Sequence, residues 1–250
     1  MTLSTLDWHK RFEQQARWTQ DLRRYLYPRV GLSEAEQILD VGCGTGALLG
    51  ELNSLSDVQI FGVDIQHERL ELAQTKDGVL LSQGDAHQLP FPKDRFDITQ
   101  CHFTLMWVAD PQKVLAEMVR VTNPGGTVVA LAEPDYGGRI DYPQKLEQIG
   151  QWQIESLRSQ GADPFMGRKL SALFNEAGLI NIESGVLGAQ WMGALSKDEV
   201  NLEWAVLESD LEKTFRDSES LNVFKEIDKT SRENGERVLY VPTFYAVGWK

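Results

Sequence analysis

Apolar and polar positions follow two different rhythms along this chain. Between residues 7 and 29, Trp8, Phe12, Trp18, Leu22, Tyr25 and Leu26 recur at roughly helical spacing among Arg and Glu, which predicts one or two amphipathic helices ending near Pro28. From Gln37 the rhythm changes. QILDVG, VQIFGVDI and GVLLSQGD are short apolar runs that read as strands, separated by helices extending through Leu55 and Thr75. RFDITQCHF follows as a fourth strand, Pro111–Val121 as a helix, Asn123-Pro124-Gly125-Gly126 as a turn, and TVVALAE as a fifth strand. Nearly continuous apolar runs suit strands covered on both faces, so the alternation predicts an α/β fold with five parallel strands.

The second half is less regular. EPDYGGRIDYP reads as a polar, aromatic loop, residues 143–160 and 167–177 as helices, Gly178 as a helix C-cap and residues 179–187 as a strand. Residues 196–233 read as mainly helical. VLYVPTFYAVGW reads as a final strand in which Pro242 demands an edge or an irregular entry, because proline has no ladder donor. No repeat or low-complexity linker divides the chain. The expectation is a single domain over residues 1–250, with residues 134–166 and 196–233 as cover elements over its α/β core.

Composition narrows the partners. With 37 Asp+Glu against 25 Lys+Arg, the net charge is −12, which disfavours broad attraction to nucleic acid or anionic lipid. Cys43 and Cys101 are the only cysteines, too few for a disulfide scaffold and without the close spacing of a structural zinc site, so the expectation is no metal and a reducing cytoplasm. No apolar run is long enough to span a bilayer, and the first twelve residues lack a signal-peptide core.

The sharpest local signal is Ile38-Leu39-Asp40-Val41-Gly42-Cys43-Gly44-Thr45-Gly46-Ala47-Leu48-Leu49, a buried strand running into a glycine-rich turn and then a helix. Such a turn admits close approach of a ligand to backbone, and the helix start carries free N–H groups. Gly42, Gly44 and Ala47 also satisfy the G-x-G-x-x-G/A dinucleotide pattern, and Asp64 stands near the spacing of a ribose-binding acid, so a nicotinamide-dependent oxidoreductase stays in play. Asp40 precedes the turn and Asp85-Ala86 follows the third strand, which places further polar groups at the carboxyl edge where open α/β sheets bind ligands. Asp40 either meets a cationic amine or braces the loop. Asp85 either accepts from an adenine amine or forms an Asx turn before Pro90.

DVGCGTG, GVDI, GDAHQLPF, FDITQCHFTLMWVADP and VRVTNPGG, in that order, resemble the class I S-adenosylmethionine-dependent methyltransferases, in particular the type 11 small-molecule group similar to ubiquinone/menaquinone-biosynthesis enzymes. The resemblance covers about residues 36–132, the principal cofactor-binding core, with weaker support from residues 167–187. It implies a Rossmann-like, seven-stranded mixed sheet with flanking helices and an antiparallel last strand. It also implies S-adenosyl-L-methionine as cofactor and S-adenosyl-L-homocysteine as product, with the methionyl part against Asp40, Gly42, Cys43 and Gly44, the ribose against Asp64, and the adenine near Ile65, Asp85 and Ala86. The function so implied is methyl transfer to a small-molecule acceptor by direct in-line displacement. A non-catalytic regulatory protein that binds the same cofactor is the alternative from another class.

Acceptor-side candidates come from the strand ends. His102 follows the fourth strand and is the first candidate for a base or a substrate orienter, although a lone histidine there can also hold a loop. Phe103, Trp107, Trp18 and Tyr25 can line an apolar acceptor pocket or simply pack the cover. Glu133, Tyr136 and Arg139 follow the fifth strand, where Arg139 can bind a carboxylate or phosphate or join an internal salt bridge. Cys43 and Cys101 lie in apolar runs with no sequence-local base and read as packing residues. Trp191, Met192, Trp204, Leu207 and Phe215 read first as core. Monomer and homodimer are both open.

Overall fold

The computed structural model describes residues 3–55, 57–74, 78–187, 195–211 and 218–250. Trp191, Met192 and Phe215 lie outside them. Two N-terminal helices, α1 (Thr5–Trp18) and α2 (Gln20–Arg29), precede the sheet. Helix α1 starts on a capping box in which Ser4 Oγ accepts from Asp7 N at 3.2 Å and the Asp7 carboxylate accepts from Ser4 N at 3.1 Å.

The α/β alternation then appears as expected: β1 (Gln37–Val41), α3 (Leu49–Leu55), β2 (Gln59–Asp64), α4 (His67–Ala73), β3 (Val79–Gln83), β4 (Phe96–Cys101), α5 (Pro111–Val121) and β5 (Thr122–Pro134). Helix α5 shows why the pattern was readable. Asp110 caps it by accepting from Lys113 N at 3.0 Å, Pro111 occupies the first turn, and Val114, Leu115, Met118 and Val121 form one fully buried stripe.

Beyond β5 come β6 (Ile140–Tyr142), α6 (Glu147–Ser159), α7 (Leu170–Glu176), β7 (Ile180–Leu187), α8 (Lys197–Leu211), α9 (Ser218–Glu233), β8 (Val238–Tyr240) and β9 (Thr243–Trp249). The main sheet has seven strands in the order β3-β2-β1-β4-β5-β9-β7. Strands β1 to β5 are mutually parallel, and β9 runs antiparallel to both β5 and β7. The fold is therefore the seven-stranded mixed sheet with an antiparallel last strand.

The C-terminal strand differs from the single run read in the sequence. Pro242 sits between β8 and β9, and β8 leaves the main sheet to pair with β6 as a two-stranded ribbon. The ribbon partner lies in EPDYGGRIDYP, where Arg and Asp between the apolar residues concealed a three-residue strand.

Side chains of each strand alternate between two apolar layers. Leu39 and Val41 join Phe61, Phe96 and the α5 stripe on one face, whereas Ile38, Ile60 and Ile98 pack with Leu26 of α2, Leu49 and Leu52 of α3 and Leu70 of α4 on the other. Burying both faces holds the sheet rigid up to its carboxyl edge, where the candidate site lies. No helix among the described residues is long and apolar enough to cross a membrane.

Candidate active site

The carboxyl ends of β1 and β2 form one polar knot around the glycine loop. Gly42 and Cys43 donate their amides to Val63 O at 2.8 and 3.1 Å. Gly44 donates to Asp64 Oδ2 at 2.9 Å, and Gln66 donates to Asp64 Oδ1 at 2.8 Å. Gly42 and Gly44 both hold positive φ, +74° and +54°, and a Cβ at Gly42 would stand 2.6 Å from Thr104. Three successive loop amides thus fix the loop to β2, and the loop's use to a ligand is the room it leaves.

Asp40, at the end of β1, is 3% exposed, and among the described residues its side chain accepts one hydrogen bond, a long 3.3 Å contact from Gln100 Nε2 on β4. Burial pushes its carboxyl up to about 7, more than Gln100 and Arg23 offset. A buried carboxylate so sparsely compensated fits a cationic amine. Asp64 is also buried, and its oxygens keep lone pairs beyond the two amide bonds, which suits donation from sugar hydroxyls. Ile65 beside it is 62% exposed, an apolar surface open to a planar base. Asp85 caps the short turn Ala86–Gln88 by accepting from His87 N, 2.9 Å, and His87 Nδ1 lies 2.7 Å from the same oxygen. The backbone bond from His87 lowers its pKa, leaving an ionised acceptor at the far end of the row. Cys43 differs from its neighbours. Its amide is engaged by Val63, and its Sγ packs where a Cβ on Gly62 would come within 2.8 Å, so its side chain braces the loop from below. Burial raises the thiols of both Cys43 and Cys101.

Helix α1 closes this platform from above. His9 Nδ1 lies 2.8 Å from Thr45 Oγ1, and the Phe12 ring would stand 3.5 Å from a Cβ on Gly44. Neither residue carries a local motif; only the amphipathic pattern of residues 7–29 hinted that this helix needed a partner. At its C-terminal end, Thr19 Oγ1 lies 2.9 Å from His102 Nε2 and also accepts from Arg23 Nη1 at 2.6 Å. Burial, reinforced by Arg23, drops His102 to about 3, so its ring is neutral at physiological pH. Phe103 is held at φ +52° with its ring edge-on to His102 at 4.7 Å.

Several expected acceptor contacts are engaged elsewhere. Both carboxylate oxygens of Glu133 accept backbone amides, from Thr104 and Leu105 at 2.8 Å and from Met106 at 3.1 Å, so this fully buried group caps the turn after β4. Burial raises it to about 7 against those three donors. Arg139 pairs with Asp141 and donates to Gln153 Oε1 at 2.6 Å, the internal salt bridge left open by the sequence. Tyr25 hydrogen-bonds Glu183 of β7 at 3.0 Å on the outer surface, where Arg29 also holds Glu183. Trp18 and Trp107 stand about half-exposed, and Tyr136 is partly buried against the apolar core. What the geometry brings together is Asp40, Gly42, Gly44 and Asp64, with Ile65, Asp85 and Ala86 extending the row and His102 at its opposite end.

A family model described as a methyltransferase domain matches residues 39–130. The demethylmenaquinone methyltransferase of Geobacillus kaustophilus is 30% identical over 193 residues, covering 69% of this chain and 81% of that protein. The chain belongs to the class I S-adenosylmethionine-dependent methyltransferases. The demethylmenaquinone methyltransferase of Bacillus subtilis is 32% identical over 195 residues with the same coverage of 69% and 81%. In fold, this methyltransferase is similar to a solved S-adenosylmethionine-dependent methyltransferase from Archaeoglobus fulgidus, with a TM-score of 0.57, 18% identity and 94% of each chain covered. The methyltransferase uses S-adenosylmethionine, yields S-adenosylhomocysteine, and methylates a small molecule.

Proposed function

We propose that Asp40, Gly42, Gly44 and Asp64 hold the cofactor along the carboxyl ends of β1 and β2, with Ile65, Asp85 and Ala86 on its adenine, and that the acceptor approaches from the ends of β4 and β5 beneath α1. The observation that carries this reading is Asp40, a buried carboxylate beside the glycine loop with one long hydrogen bond among the described residues to compensate it. It takes the methionyl amine. Asp64 takes the ribose hydroxyls while its amide bonds keep it in place. Bound S-adenosylmethionine supplies an electrophilic methyl group on a cationic sulfur, open to in-line displacement by an acceptor nucleophile.

The chain's own contribution is alignment and exclusion of water. Helix α1 shields the loop through His9 and Phe12. His102, neutral and hydrogen-bonded to Thr19, acts as a positioning residue that fixes the C-terminal end of that cover; a ring driven down to about 3 is a weak base. Two buried free cysteines suit a reducing compartment, and we place the enzyme in the cytoplasm.

A screen of small-molecule acceptors, read by S-adenosylhomocysteine release and followed by mass identification of the product, tests the assignment. For the acceptor found, His102→Gln lowers turnover by about tenfold or less, and the wild-type rate shows no limb near 6.5. A rate that falls with a pKa of 6.5 and is lost in His102→Gln would make His102 the base.

A further inference from the structure

Helix α1 carries a second set of residues that face away from the glycine loop. Successive residues turn by about 100°, so Arg11, Gln14 and Trp18 form one stripe of the helix while His9, Phe12 and Ala16 form the stripe against the platform. Arg11 Nη1 donates to Gln14 Oε1 at 2.7 Å, and its guanidinium lies 4.6 Å over the Trp18 ring. These contacts aim the pair but do not neutralise it. Arg11 makes no ion pair among the described residues; its Nε and the Nε2 of Gln14 are both buried and have no hydrogen-bond partner. Gln14 as a whole is 1% exposed.

Leaving two donors buried without acceptors is costly, of the order of 1–3 kcal/mol each, and native proteins rarely do it without a reason. The charged groups nearest Arg11 in effect do not supply the acceptor. Glu203 and Asp210 are the carboxylates whose charge Arg11 feels, and Tyr136 beside them is kept protonated by burial. Glu203 is held by Arg232 at 2.8 Å, Asp210 accepts from Gln153 Nε2 at 2.9 Å, and burial shifts Asp210 towards its neutral form. Arg11 thus sits between α1, the segment after β5 and α8 with no ion pair among the described residues and its Nε unpartnered, Glu203 and Asp210 acting on it without pairing with it, on the side from which the proposed acceptor reaches β4 and β5.

We propose that Arg11 and Gln14 form a subsite for an oxyanion of the methyl acceptor, so that the small molecule this enzyme methylates carries a carboxylate or phosphate group. The inference rests on the methyltransferase reading of the platform and adds the charge of its substrate. A guanidinium fork and an amide N–H offer converging donors to two oxygens of one such group, and Trp18 keeps the fork from turning away.

Calorimetry on the full chain saturated with S-adenosylhomocysteine tests it, with benzoate, phenyl phosphate and benzamide as probes of similar size and different charge. Benzoate or phenyl phosphate binds at least about tenfold more tightly than benzamide, and whichever binds identifies the oxyanion. Arg11→Met and Gln14→Leu each weaken that probe about tenfold or more, Arg11→Lys retains part of it, and S-adenosylhomocysteine affinity stays within about twofold in all three, which shows that they fold. Equal binding of benzamide, no binding of either anion, or anion binding indifferent to Arg11→Met overturns the subsite. Loss of S-adenosylhomocysteine binding by the wild-type protein would instead overturn the platform reading beneath it.

Discussion

The proposed cofactor platform and the helical cover are both polar at their centres, yet they treat buried charge in opposite ways. In the cover, Arg139, Asp141, Arg237, Asp228, Arg232 and Glu203 form a continuous chain of ion pairs in which every carboxylate meets a guanidinium. On the platform, Asp40 is as deeply buried but has a single long hydrogen bond among the described residues. A mutually satisfied network holds elements together, here the β6–β8 ribbon against α9, whereas an under-compensated group records where something else must bind. Residue type does not separate the two cases; partner count does. Glu133 is the instructive exception, because it stands at a strand end like a ligand-binding acid but behaves as a structural cap for three amides.

Substitutions can break this contrast, beginning with the structural side. Glu133→Ala leaves three backbone donors of the turn after β4 without an acceptor and costs about 4 kcal/mol in chemical denaturation, with any loss of activity following the loss of fold. A stable, folded but inactive variant would return Glu133 to the acceptor site. Arg139→Met removes one of two guanidinium partners from buried Asp141 and costs about 3 kcal/mol, while S-adenosylhomocysteine affinity measured below the melting transition is unchanged. If it weakens acceptor binding instead, the cover network is part of the site.

On the platform the expected effects fall on binding. Asp40→Asn keeps the fold and weakens S-adenosylhomocysteine by about tenfold or more, because a charge-assisted contact to the amine is lost. The same carboxyl gives a pH signature. Held near 7 by burial, it is ionised above that pH and protonated below, so cofactor affinity falls as pH drops from 8 to 6, and binding at pH 7 releases a proton. An ordinary carboxylate would show that loss only near pH 4, and Asp40→Asn abolishes the dependence between 6 and 8. For stability the sign is opposite: a raised carboxyl holds a proton in the folded chain that the unfolded chain has lost, so the contributions of Asp40 and Glu133 diminish as pH rises from about 4 to 7. Smallest of all, Tyr25→Phe removes an exposed hydrogen bond to Glu183 and shifts stability by less than about 1 kcal/mol with no change in turnover. A changed acceptor preference would place Tyr25 in the pocket.

The platform was legible in the sequence because local rules wrote it. Gly42 and Gly44 mark a turn that needs positive φ, Asp64 ends and Asp85 closely follows a strand whose apolar run is unmistakable, and Asp110-Pro111 announces α5. The cover was legible only as helices. Which face of α1 meets the loop, that Thr19 reaches His102, and that Arg139 turns inward to Asp141 all depend on contacts between residues far apart in the chain. Arg11 and Gln14 left no signal at all, since an Arg and a Gln three apart on a helix ordinarily face water. The β6–β8 ribbon was missed for the same reason: a three-residue strand is decided by its partner rather than by its own pattern.

Whether Asp40 holds the cofactor amine is decided by titration calorimetry of the purified chain with S-adenosylhomocysteine and with NAD, on the wild type and on Asp40→Asn. The expected result is one S-adenosylhomocysteine site per chain, weakened about tenfold or more by the substitution, and no NAD binding. Clear NAD binding without S-adenosylhomocysteine binding, or S-adenosylhomocysteine binding indifferent to Asp40, would contradict it.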